Sequence, residues 1–162
     1  MQCDNGGEFL NSSLRSSLSA HGTSLRLSCP HTSPQNGKAE RAIRSINDII
    51  RTLLVQAHMP PKFWVEALHT STYLLNVRPS RAIQHNTPHF MLYGTHPSTF
   101  GCLCYPNLYA TTPHKLSPRS TPCVLLGLPL EHKGYRCLDL LTRKVITSRH
   151  VVFDELTFPF AQ

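Results

Sequence analysis

Apolar residues recur at three- and four-residue steps through roughly the first hundred positions, then gather into short runs bounded by proline and glycine. The first spacing is that of a helix face and the second that of short strands. Phe9, Leu10, Leu14 and Leu18 predict a helix over 9–21 that stops at Gly22, and Thr23–Leu27 reads as a brief strand. A breaker-rich loop follows, and then the strongest helical pattern, from about 34 to 57, with Ser33 as N-cap and Pro34 in the first turn. Ala39, Ala42, Ile43, Ile46, Ile49, Ile50, Leu53 and Leu54 make its apolar face. Pro60-Pro61 ends it and opens another helix over 61–76, which Arg78-Pro79 closes. Thr87-Pro88 starts a last turn through Tyr93. Beyond residue 100 the runs Cys102–Tyr105, Cys123–Leu126, Tyr135–Leu140 and Val145–Phe153 predict a small barrel or sheet. The texture changes near 95–101.

Composition narrows the partner. The 162 residues carry 16 Lys+Arg against 9 Asp+Glu, a formal charge of +7. The excess is shared: +4 over 1–97 and +3 over 98–162. Such a balance suits an anionic partner, although solubility alone also explains it. No run approaches the ~18 apolar residues of a membrane span, and no secretory leader is legible. A reducing compartment, and hence thiols, is expected for the six cysteines. The spacing of Cys102 and Cys104 is too tight for a structural zinc site. They and Cys137 lie in apolar, aromatic-rich runs and read as small buried hydrophobes.

Candidate chemistry lies on the strongest helix. At 100° per residue, Asn47, Arg44 and Arg51 fall within about 40° of Glu40, with Lys38 off the stripe at about 160°. By itself such a stripe is equally a solvated face with i,i+4 charge pairs. A second carboxylate, Asp4, stands just before Gly6-Gly7, and 35 residues intervene between it and Glu40. Carboxylates at a strand end and a helix start suit a hard divalent cation, and two such ions assist phosphoryl transfer.

Asp4-Asn5-Gly6-Gly7-Glu8-Phe9 and Pro34-Gln35-Asn36-Gly37-Lys38-Ala39-Glu40-Arg41 resemble the integrase of copia-type LTR retrotransposons, with the family's spacing from the second Asp to the Glu of its acidic triad. Phe63-Trp64-Val65-Glu66-Ala67-Leu68, Tyr73-Leu74-Leu75-Asn76 and Thr87-Pro88 to Tyr93-Gly94 resemble the end of that core. Phe100-Gly101-Cys102, His114-Lys115-Leu116-Ser117-Pro118-Arg119-Ser120 and Ser148-Arg149-His150-Val151-Val152-Phe153-Asp154-Glu155 look like the SH3-like module that follows it.

The resemblance implies an α/β fold class: the C-terminal part of a ribonuclease-H-like integrase core over 1–97, mostly helical, then a β-rich SH3-like domain over 98–157 and a tail over 158–162. It implies DNA integration by metal-dependent polynucleotidyl transfer. Asp4 and Glu40 are the expected catalytic ligands of Mg2+ (or Mn2+), and Asn36, Gly37, Lys38, Arg44, Asn47 and Arg51 line the DNA. The family's first catalytic Asp and its zinc-binding region precede the stretch matched here. The chain is therefore expected to be a truncated copy, inactive in strand transfer by itself. A non-catalytic nucleic-acid-binding remnant and an inert transposon relic are the alternatives. Element ends and target DNA are the implied partners, with a homo-oligomer, no membrane, and the nucleus as location.

Overall fold

The structure, a computed structural model, describes residues 1–3, 6–29, 37–109, 114, 116–129 and 131–161. Two compact units, Met1–Ser45 and Ile46–Gln162, divide the chain.

In the first unit, β1 (Gln2–Cys3) pairs in parallel with β2 (Arg26–Leu27), in the register Gln2 to Arg26 and Cys3 to Leu27. Parallel neighbours need a crossover, and α1 (Ser12–Ala20) supplies it. The helix starts later than the apolar spacing predicts, because Gly7–Phe9 form a separate 3₁₀ turn and the Asn11 side chain caps the helix. Asn11 Oδ1 accepts from the Leu14 amide at 2.6 Å. Gly22, at φ +67°, lies two residues beyond its end. α2 (Gly37–Gln56) is the long helix the sequence predicts. Its expected cap, Ser33, and Pro34 lie outside the described residues. Residues 37–45 of α2 belong to the first unit and 46–56 to the second.

The second unit is built on a five-stranded antiparallel sheet: β3 (Leu103–Pro106), β4 (Cys123–Gly127), β5 (Tyr135–Asp139), β6 (Val145–Ser148) and β7 (Val151–Asp154). The order is β6-β5-β4-β3-β7. The predicted single run Val145–Phe153 is thus two strands, broken at Arg149-His150. Only those two residues join opposite edges of the sheet, so the sheet must curl until its edges meet. Asn107 seals the seam by donating its amide to the His150 carbonyl at 2.9 Å. Ser148 Oγ donates to the same carbonyl at 3.0 Å.

Alternation along β4 explains its unbroken apolar run. Cys123 and Leu125 face one cluster with Cys102, Cys104 and Cys137, while Val124 and Leu126 face another with Leu138, Phe100, Ala57, Met59 and Ala67. A strand covered on both faces has no position left for a polar side chain. The second cluster is roofed by Ile50, Leu53 and Leu54 of α2 and by α3 (Trp64–Asn76), which packs on β4. Pro61–Phe63 form a 3₁₀ turn leading into α3, so the predicted start at the double proline holds. α4 (Pro88–Tyr93) begins as expected, with Thr87 Oγ1 accepting from the Phe90 amide at 3.1 Å.

One ion pair fastens α3 to the sheet. Arg136 on β5 meets Glu66 through two parallel bonds of 2.7 and 3.0 Å, with side chains 30% and 16% exposed. Two-pronged geometry and partial burial raise its worth above that of a surface pair. Arg136→Ala leaves the Glu66 carboxylate half-buried without its partner and is expected to lower stability by about 1–2 kcal/mol. A double-mutant cycle with Glu66→Ala checks this in urea unfolding. A coupling energy of zero would reject the clamp.

Candidate nucleic-acid interface

α2 exposes the polar stripe. Glu40, Arg44, Asn47 and Arg51 are all exposed, as is Lys38 in the first turn, and no residue of the helix is fully buried. Gly37 opens the described helix, and its carbonyl accepts a long 3.4 Å contact from Arg41 Nε. Arg51 lies 3.8 Å from Asp48, and with side chains 79% and 64% exposed this pair restrains neither group much. The guanidinium groups are therefore available to an anion approaching from solvent. A carboxylate in the first turn, such as Glu40, also sits favourably at the positive end of the helix dipole.

Asp4 and Asn36 lie outside the described residues, so the predicted pairing of Asp4 with Glu40 and the placement of Asn36 are not part of the geometry. Among the described residues, no three His, Cys, Asp or Glu side chains gather closely enough to hold a metal ion. No described helix is long and apolar enough to cross a membrane.

Cys102, Cys104 and Cys137 are fully buried, as the sequence reading expects, and Cys123 joins them; all four are free thiols. Burial pushes the Cys102 and Cys123 thiols up to about 12. Cys104 is raised too, first by its hydrogen bond with Cys137 and then by burial. Buried, largely protonated thiols are poor ligands and poor nucleophiles.

Two features escaped the sequence reading. The Glu66–Arg136 clamp had a partial signal, since a charge interrupting the apolar run Phe63–Leu68 needs a partner, but nothing local identifies one 70 residues away. A cavity lined by Thr70, Tyr73 and His89 left no signal at all, because its walls come from six elements and the segment 95–100.

Residues 102–162 match the family model of the retroviral polymerase SH3-like domain. The chain is 42% identical, over 163 residues, to the retrovirus-related Pol polyprotein from transposon RE2 of Arabidopsis thaliana, and the match covers 98% of this chain and 11% of that protein. Identity and coverage are the same for the polyprotein from transposon RE1 of that plant. It is 35% over 160 residues for the one from transposon TNT 1-94 of Nicotiana tabacum, with 96% of this chain and 12% of that protein covered. The chain thus spans about a tenth of the length of the curated relatives it matches. The curled five-stranded sheet lies where the SH3-like domain matches and the identity runs nearly from end to end, so the chain belongs to the retrovirus-related Pol polyproteins of copia-type LTR retrotransposons.

Proposed function

We propose that this segment serves DNA integration within a longer polyprotein, with residues 1–97 as the C-terminal part of a ribonuclease-H-like integrase core, 98–157 as the SH3-like domain and 158–162 as a tail. The observation that carries the reading is the exposed stripe of α2, on which Arg44, Asn47 and Arg51 follow Glu40 at three- and four-residue steps. The parallel β1–α1–β2 unit supports an α/β core. Lys38, Arg44 and Arg51 hold phosphates, and Asn47 adds a neutral hydrogen bond. Phosphate contacts of this kind fix register without reading sequence.

Asp4 and Glu40 would hold Mg2+ (or Mn2+), since carboxylate oxygens are the donors such hard ions take. When bound, the ion supplies polarisation of the phosphoryl oxygen and activation of the attacking hydroxyl. DNA ends and target DNA are the partners, a homo-oligomer the assembly, and the nucleus the place of action.

Fluorescence anisotropy of a labelled duplex, titrated at several salt concentrations, tests the interface. Three phosphate-bound cations give a slope of log K against log salt of about −2.7. Arg44→Ala with Arg51→Ala should reduce it to about −0.9 and weaken binding about tenfold at low salt. An unchanged isotherm in the double variant would reject α2 as the DNA face.

A further inference from the structure

A cavity of about 550 Å³ lies inside the second unit, between the last turn of α2, α3, α4, the segment 95–100 and the strands β4, β5 and β7. That volume falls in the range of small-molecule sites. Its walls carry two aromatic pairs. On one side Tyr73 and His89 meet edge to face, with centroids 6.4 Å apart. On another, Tyr135 and Phe153 do the same at 4.9 Å.

Among the described residues, no Asp, Glu, Lys or Arg lines the cavity. His89 Nδ1 lies 2.9 Å from the Thr95 carbonyl, which can only accept, so this nitrogen carries a proton. Burial raises the Tyr73 phenol, so it stays uncharged at neutral pH.

One wall group is unsatisfied. Thr70 Oγ1 is buried and has no hydrogen-bond partner among the described residues. It sits over Gly127, where an added Cβ would come within 2.6 Å of it. A buried hydroxyl without a partner is costly, and one in a cavity wall gains from a ligand that brings the missing donor or acceptor.

We propose that this cavity binds an uncharged nucleoside, its base between the aromatic walls and its hydrogen-bonding edge on the Thr70 hydroxyl. The rings supply stacking surface, which any base can use. The Ser98 hydroxyl on the same lining suits the sugar, and Thr99 Oγ1, which donates to Glu155 Oε2 at 3.0 Å, can still accept from it. With no Lys or Arg among the described lining residues, a phosphate entering here would lose its water without gaining a permanently charged partner, which selects against it. None of Lys38, Arg44, Asn47 and Arg51 lines the cavity, and its test does not depend on DNA binding.

Calorimetric titration of the four ribonucleosides into the 162-residue chain is the experiment. At least one should bind with a Kd of ~0.1–1 mM, and its monophosphate should bind at least about fivefold more weakly. Thr70→Val keeps the side-chain shape and removes an unpartnered hydroxyl. Its thermal midpoint should therefore stay level or rise, while nucleoside affinity falls about fivefold, the effect of one neutral hydrogen bond. Any of three results would overturn the proposal: no nucleoside bound at millimolar concentration, equal affinity for nucleoside and monophosphate, or unchanged affinity in Thr70→Val. The last would mean that water alone satisfies the hydroxyl.

Discussion

Gly101→Ala should destabilise the unit Ile46–Gln162 by ~3 kcal/mol or more, the largest effect expected of any single methyl group here. Gly101 has φ +79°, where a side chain costs about 1–2 kcal/mol. A Cβ at this site would also collide with the Cβ of fully buried Ala57 and come within 3.3 Å of Met59 Sδ. Overpacking of this kind adds about 1–3 kcal/mol. The backbone is not free to retreat, because the Gly101 amide donates to the Leu125 carbonyl at 2.9 Å in the centre of the sheet. Urea unfolding should show a lower midpoint at unchanged m-value. Adding Ala57→Gly should recover the steric part and leave the conformational part. A Gly101→Ala chain as stable as the parent would show that the contact between the α2 end and β3 is looser than described.

Helices were legible wherever proline or a capping side chain punctuates the chain. Pro60-Pro61 and Thr87-Pro88 mark their helix starts because each fixes φ or offers an oxygen to an orphan amide. Asn11 offers the same kind of capping oxygen, but the apolar spacing of Phe9 and Leu10 runs on through a 3₁₀ turn and hides the helix start. The strands were legible as apolar runs, yet Val145–Phe153 concealed a change of sheet edge. Hydropathy records burial, and Arg149 and His150 are too short an interruption to register a topological event. Buried cysteines were legible from their apolar neighbours. What joins distant segments was not: no local pattern pairs Glu66 with Arg136, or gathers Thr70, Tyr73 and Tyr135 around one cavity. The polar stripe of α2 was legible from period alone, since a helix of known phase fixes which side chains share a face.

Alkylation should divide the cysteines into two classes separated by at least about a thousandfold in rate. Exposed Cys29 should react within minutes at pH 8, whereas Cys102, Cys104, Cys123 and Cys137 should react only through unfolding. Burial removes access, and the thiolate is scarce at Cys102 and Cys123, whose thiols it pushes up to about 12 from the ordinary 9.0. The native state therefore binds these protons more tightly than the unfolded chain does. Their contribution to stability is complete below pH 9 and is lost as pH rises from 9 towards 12. Mass-resolved labelling with iodoacetamide checks the rates, and thermal melts between pH 8 and 11 check the sign. Rapid native labelling of any of the four would show that the sheet does not enclose them.

A strand order that places β7 beside β3 has a consequence on the ribosome. β3 gains one neighbour when β4 emerges, but its other edge waits for Val151–Asp154, synthesised about 45 residues after Pro106. At roughly 5–20 residues per second, a row of unpaired amides and carbonyls stands open for about 2–9 s in every nascent chain. Until Val151–Asp154 arrives, that open edge of β3 is a template on which a strand of another chain can add.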